Sequence, residues 1–253
     1  MAVTLALGAG AVLGQVSDAA PDPIRVVAIG DSVTSGAHCG CDAFPAVYGR
    51  LLAAAEHVPT RVTNDGISGL ATAGLLDRLR RNTDGLGNAV GSADVVLVTI
   101  GANDFGDHHD DVTGGTCARG SGPDCVSDEL ARMRSTLDAI LTEIGTLRRS
   151  ASPATVLVTG YWNDFEDGKV ARDRYPDEGL LATASLTRRT NTAIERSAAT
   201  TGATYVDLEA AFHARGTDVT DLLAADGDHP NAAGHRLIAR LLVAAGLPTL
   251  PAS

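Results

Sequence analysis

Apolar residues in this chain cluster in short unbroken runs. In Ile24-Arg25-Val26-Val27-Ala28-Ile29 all but one residue is apolar, and most are β-branched. A run that does not alternate predicts a strand covered on both faces. Asp94–Ile100 and Ala154–Gly160 repeat the pattern, and Arg61–Asn64 and Thr204–Leu208 give two shorter strands. Between the runs the spacing becomes helical. Phe44, Val47, Leu51 and Leu52 predict a helix over about 44–56, and Leu75, Leu76 and Leu79 a short one. An amphipathic stretch over about 127–149 has Ser127 as its expected N-cap, and a further helix is expected near 179–200. The last helix starts after Pro230, capped by Asn231, and runs to about 244 with Leu237, Ile238 and Leu241 on its apolar face. Residues 105–126 and 161–178 show no period and read as two long loops, a length usually reserved for function.

Strands alternating with helices predict right-handed crossovers and a parallel sheet. Five strands without repeat or linker give one α/β domain over 24–248. The expected strand order is 2-1-3-4-5, which sets the first and third strands side by side at the switch point where such sheets bind ligands.

The loops at the carboxyl edge then hold the chemistry. Gly30 permits a sharp turn and Ser32 follows it; Gly66 follows the second strand and Asn103 the third. Asp226-Gly227-Asp228-His229-Pro230 precedes the last helix. A serine hydroxyl needs a base, and His229 is the one histidine set just ahead of a helix in an acidic turn. Asp226 can hold the far ring nitrogen and fix its tautomer, with Asp228 a less well placed competitor. The N–H groups of Ser32 and Gly66 and the Asn103 amide are the expected oxyanion donors. Asp31 and Asp104 are expected to brace their turns, and His235 to be structural.

Gly30-Asp31-Ser32, Asn64-Asp65-Gly66-Ile67-Ser68-Gly69, Gly101-Ala102-Asn103-Asp104 and Asp226–Pro230 together resemble the blocks of the SGNH (GDSL-type) hydrolases, in the family's order and over about residues 24–245. The resemblance implies a three-layer α/β/α flavodoxin-like fold and ester hydrolysis through an acyl-enzyme. It assigns Ser32 as nucleophile, His229 as base, Asp226 as its orienter, and Ser32, Gly66 and Asn103 as the oxyanion hole, with no cofactor and no metal. The chain looks most like the secreted bacterial esterases and lipases of that family, acting as a monomer on small or lipid-like acyl esters. Deacetylation of carbohydrate or peptidoglycan at the same site is an alternative, with Tyr161 and Trp162 as a sugar platform. A catalytically silent binding module is another. The Gly-x-Ser-x-Gly elbow of α/β-hydrolases is absent.

Composition adds boundaries. A net charge of −11 argues against a nucleic-acid surface. Residues 2–13 form an apolar run followed by small residues, with a cleavage site expected near Ala19 or Ala20; residues 1–20 read as a signal peptide or its remnant, though no positive n-region precedes the run. The run is too short to span a membrane, so no integral segment is expected after processing. Export to an oxidising compartment suits the four cysteines, Cys39, Cys41, Cys117 and Cys125. Three connectivities are open. The local pairs are favoured, Cys117–Cys125 above the tight Cys39–Cys41, and a zinc site is disfavoured. Asp107-His108-His109-Asp110-Asp111 offers metal-ligand chemistry, but no regular spacing fixes it, and it reads as a solvated loop.

Overall fold

The computed structural model describes residues 21–117, 124–148, 154–214, 216 and 218–248. The predicted signal segment and its cleavage site lie outside them. Five parallel strands, β1 (Ile24–Gly30), β2 (Thr60–Gly66), β3 (Val95–Thr99), β4 (Thr155–Thr159) and β5 (Thr204–Val206), form one sheet in the order β2-β1-β3-β4-β5. β1 pairs with β2 along its whole length, from Ile24↔Thr60 to Gly30↔Gly66, and with β3 from Val26↔Val95 to Gly30↔Thr99. β3 is buried at every position, as its unbroken apolar run requires, whereas β2 is an edge strand and half-exposed.

Ten helices occur among the described residues: α1 (Ser32–Ser35), α2 (Phe44–Glu56), α3 (Thr72–Arg81), α4 (Leu86–Ser92), α5 (His109–Thr113), α6 (Ser127–Leu147), α7 (Gly168–Arg174), α8 (Asp177–Thr201), α9 (Leu208–Phe212) and α10 (Ala232–Ala245). α2 packs on α10, while α6 packs on α3, α4 and α8, so helices cover the sheet on both sides. Phe44, Leu52, Leu137, Ile140, Ile238 and Leu242 turn inward from these layers. The three-layer fold and strand order expected from the sequence are those observed.

The two expected loops are more regular than predicted. Ala102–His108 forms a 3-10 helix that runs into α5, and α7 interrupts the second segment. These short helices, like α4 and α9, bury between one and three residues each, too few to register as a period. Ser127 is not the N-cap of α6. That position is Val126, and the Ser127 hydroxyl instead donates to Asp124 Oδ1 at 2.6 Å. Asn231 does cap α10, its Oδ1 accepting from the N–H groups of Ala233 and Gly234 at 2.7 and 3.2 Å.

Candidate active site

The turn after β1 is built for a serine at its corner. Gly30 has φ +145°, and a Cβ there would lie 1.9 Å from the Thr99 carbonyl of β3, so only glycine fits. Asp31 N–H donates to that same carbonyl at 3.0 Å. Asp31 Oδ1 accepts from Val33 N–H at 3.0 Å and caps α1, while Tyr161 O–H donates to Oδ2. Burial raises the Asp31 carboxyl to about 6, against the lowering effect of those hydrogen bonds. Asp31 thus braces the turn. Ser32, half-buried, opens α1 with its N–H engaged by no group among the described residues.

The Asp226–His229 turn is fixed from all sides. Asp226 Oδ1 accepts from the N–H groups of Asp228 and His229, each at 3.1 Å, and Oδ2 lies 2.9 Å from His229 Nδ1. Asp228 Oδ2 is 3.6 Å from that nitrogen, so Asp226 is the better placed partner. Burial would raise the Asp226 carboxyl, but the bonds from the His229 backbone and ring outweigh it and hold the carboxyl low. Gly227, at φ +77°, leaves no room for a Cβ against Val170, and its carbonyl accepts from Asp167 N–H at 2.8 Å. Asn231 Nδ2 donates to the carbonyls of Asp221 and Leu223 at 2.9 Å. His235 is buried behind this turn, with Nδ1 accepting from Phe44 N–H at 3.1 Å.

Of the expected oxyanion donors, Gly66 is otherwise engaged. Its N–H donates to Asn64 Oδ1 at 3.1 Å, and a Cβ on it would strike Ser35 N at 2.4 Å. Its missing side chain lets β2 press against α1. In the next turn the Gly69 N–H has no acceptor among the described residues; Gly69 has φ +77°, and an added Cβ there would meet nothing within 4 Å. Asn103 reaches that turn, donating from Nδ2 to the Leu70 carbonyl at 3.1 Å and keeping a second amide hydrogen. Asp104 anchors it from below, accepting from Thr72 N–H at 3.0 Å and Thr72 O–H at 2.6 Å.

A cleft of about 310 Å³ opens beside Ser32, between Asn103, His109, Asp164, Phe165 and Asp228. Tyr161 and Trp162 are both 2% exposed, and Trp162 stacks on Phe212 at 4.6 Å, so neither forms the exposed sugar platform weighed above. Asp107–Asp111 is helical, and its histidines diverge: His108 Nε2 meets Glu129 at 3.3 Å and His109 Nε2 meets Glu166 at 3.2 Å. The cysteines pair as Cys39–Cys41 and Cys117–Cys125.

Sequence reasoning missed His38. Its ring stacks on His229 with centroids 4.6 Å apart, and its Nδ1 is 3.5 Å from Asp226 Oδ2. It also missed Asp164, buried in the cleft wall with its carboxyl raised to about 7 by burial. Position in the loop that follows β4 was the available signal for Asp164; nothing local signals His38.

A parallel sheet with this strand order, carrying a serine after β1 and a histidine–aspartate couple ahead of the last helix, defines the class of three-layer SGNH-type hydrolases. Within it, residues 28–237 match the model of the GDSL-like lipase/acylhydrolase family, and the chain belongs to that family of ester-hydrolysing enzymes. No curated protein matches in sequence. Among solved structures, a lipase from a goat rumen metagenome superposes with a TM-score of 0.67 at 18% identity, over 89% of this chain and 98% of that one. The extracellular lipase of Streptomyces rimosus gives 0.61 at 23%, over 88% and 100%. The acetylxylan esterase of Geobacillus stearothermophilus gives 0.60 at 21%, over 87% and 93%. No helix among the described residues is long and apolar enough to cross a membrane.

Proposed function

We propose that the protein hydrolyses carboxylic esters through an acyl-enzyme, with Ser32 as nucleophile, His229 as base and Asp226 as the acid that orients it. The Asp226–His229 couple carries this reading. A proton kept on Nδ1 by its hydrogen bond to Asp226 Oδ2 leaves the Nε2 lone pair to take the Ser32 proton. Ser32 Oγ attacks the ester carbonyl, and the oxyanion collects the Ser32 N–H and the unspent Asn103 amide hydrogen. Gly69 supplies the third donor in place of Gly66, whose N–H is committed to Asn64. His229 protonates the leaving alcohol, then draws a proton from water as it attacks the acyl-enzyme.

The cleft beside Ser32 is small, about 310 Å³, and mixes polar walls at Asn103, Asp164 and Asp228 with apolar ones at Val33 and Phe165, which supports small acyl groups, acetyl included, over long chains. Two local disulfides suit an exported protein. The test is Ser32→Ala with p-nitrophenyl acetate, where turnover falls by about 10⁴ or more while the melting curve is unchanged. Hydrolysis at the parental rate would overturn the assignment. A fluorophosphonate that fails to label Ser32 in the folded protein would point to a silent binding module. An acyl-length series checks the cleft, with rates falling beyond short chains.

A further inference from the structure

The histidine stacked on His229 has no part in the scheme above. His38 sits in the turn after α1, at φ +59°, between the left-handed Gly36 and the Cys39–Cys41 bridge. Its side chain is 64% exposed, whereas that of His229 is only 12% exposed. One nitrogen of each ring and one oxygen of Asp226 lie within 4.8 Å of one another.

We propose that His38, Asp226 and His229 form a binding site for Zn²⁺, and that the bound ion switches the enzyme off. Asp226 Oδ2 is 3.5 Å from His38 Nδ1 and 2.9 Å from His229 Nδ1. Those separations bracket the roughly 3.3 Å between ligand atoms in a tetrahedron with metal–ligand bonds of about 2.0–2.1 Å. Two imidazoles and a carboxylate are a borderline-soft donor set suited to zinc, with the fourth position left to water. Solvent reaches the site from the His38 side; the two rings are stacked with planes 27° apart, so binding requires the exposed His38 ring to turn until its in-plane Nδ1 lone pair meets the ion. The other three-residue clusters of possible ligands among the described residues each include a cysteine already held in a disulfide.

Inhibition follows from the tautomer. Catalysis needs the His229 proton on Nδ1 and the lone pair on Nε2. Zinc takes the Nδ1 lone pair, so that proton leaves to water and Nε2 acquires one; the ring stays neutral, with no net proton released. A protonated Nε2 cannot accept from Ser32. Zinc therefore competes with the hydrogen bond that Asp226 makes to the base. The inhibition, though not the binding, rests on His229 being that base.

The test uses the full chain and the variant His38→Asn, since asparagine tolerates a left-handed backbone better than alanine. Calorimetry of Zn²⁺ into Ser32→Ala, which keeps all three ligands without turnover, should give one ion per chain. Adding His38→Asn should weaken binding at least about tenfold, or 1.4 kcal/mol. Initial rates on p-nitrophenyl acetate, each scaled to the zinc-free rate, should show inhibition reversed by EDTA and an inhibiting concentration raised at least tenfold by His38→Asn. Equal zinc affinity with and without His38 overturns the site. Binding that depends on His38 but leaves the rate untouched overturns the switch. If Ser32→Ala also keeps the parental rate in that case, the fault lies in the catalytic assignment instead. Matching melting curves exclude unfolding as the cause of lost binding.

Discussion

Two segments of this protein have nearly the same composition and opposite fates. Asp107-His108-His109-Asp110-Asp111 and Asp226-Gly227-Asp228-His229 each place histidine among carboxylates. In the first, the two rings leave in different directions, His108 to Glu129 of α6 and His109 to Glu166 in the loop before α7, and serve to tie the segment to its neighbours. In the second, one aspartate holds its histidine by two bonds, to the His229 backbone N–H and to the ring, and ties down the turn with a third from the Asp228 N–H. Both segments carry charge, but only the turn gives a histidine a fixed tautomer. Acidic surroundings alone do not make a base.

The largest effect that tests this contrast is Asp226→Asn. It should lower kcat by about 10³–10⁴, because the amide favours the wrong ring tautomer. Asp110→Asn should leave kcat within about twofold, since Asp110 only touches an exposed edge of His109. Equal losses from the two would erase the distinction, and steady-state kinetics on p-nitrophenyl acetate decides it. A smaller change is expected from His109→Ala. That ring lines the cleft edge-on to Phe165 at 5.0 Å, so its loss should raise KM by less than about tenfold, with kcat held. A collapse of kcat would make His109 a second base.

The smallest effect is on stability, and its sign differs between the segments. Burial lowers the His109 pKa, but Asp110 and Glu166 outweigh it, so the value is raised. Stability from that ring is complete below about 6.5 and is lost as pH rises through the folded value. The Asp226 carboxyl is held low, so its contribution is present above about 3.9 and lost as pH falls through the folded value. Both groups are partly exposed, so each should shift Tm by a few degrees at most. His109→Ala should flatten the melting profile on the alkaline side, and Asp226→Asn on the acid side. The same side for both would contradict the hydrogen bonding seen here.

Legibility in the sequence followed the range of the contacts. β1, β3 and β4 were plain because a strand buried on both faces must be apolar throughout. Asn231 and the Asp226–His229 couple were plain because their bonds close within three residues. Gly66 was misjudged because a glycine in a loop block suits an open N–H as well as a tight contact; Thr34 and Ser35, from another element, decide which. Tyr161 and Trp162 were left open between platform and packing for a similar reason. Asp31 and Phe212, distant in the chain, draw them into the interior.

By itself the sequence determined the sheet, its order and the identity of the chemistry-bearing blocks. Those depend on patterns of two to four residues and on the carboxyl ends of parallel strands sharing one edge. The tertiary structure decided which glycine N–H stays free, how polar the cleft is, and that a second histidine lies on the first. His38 and His229 come together only because α1 and the turn before α10 meet above the sheet. No local pattern encodes such a meeting, because the packing that produces it is summed over the whole core.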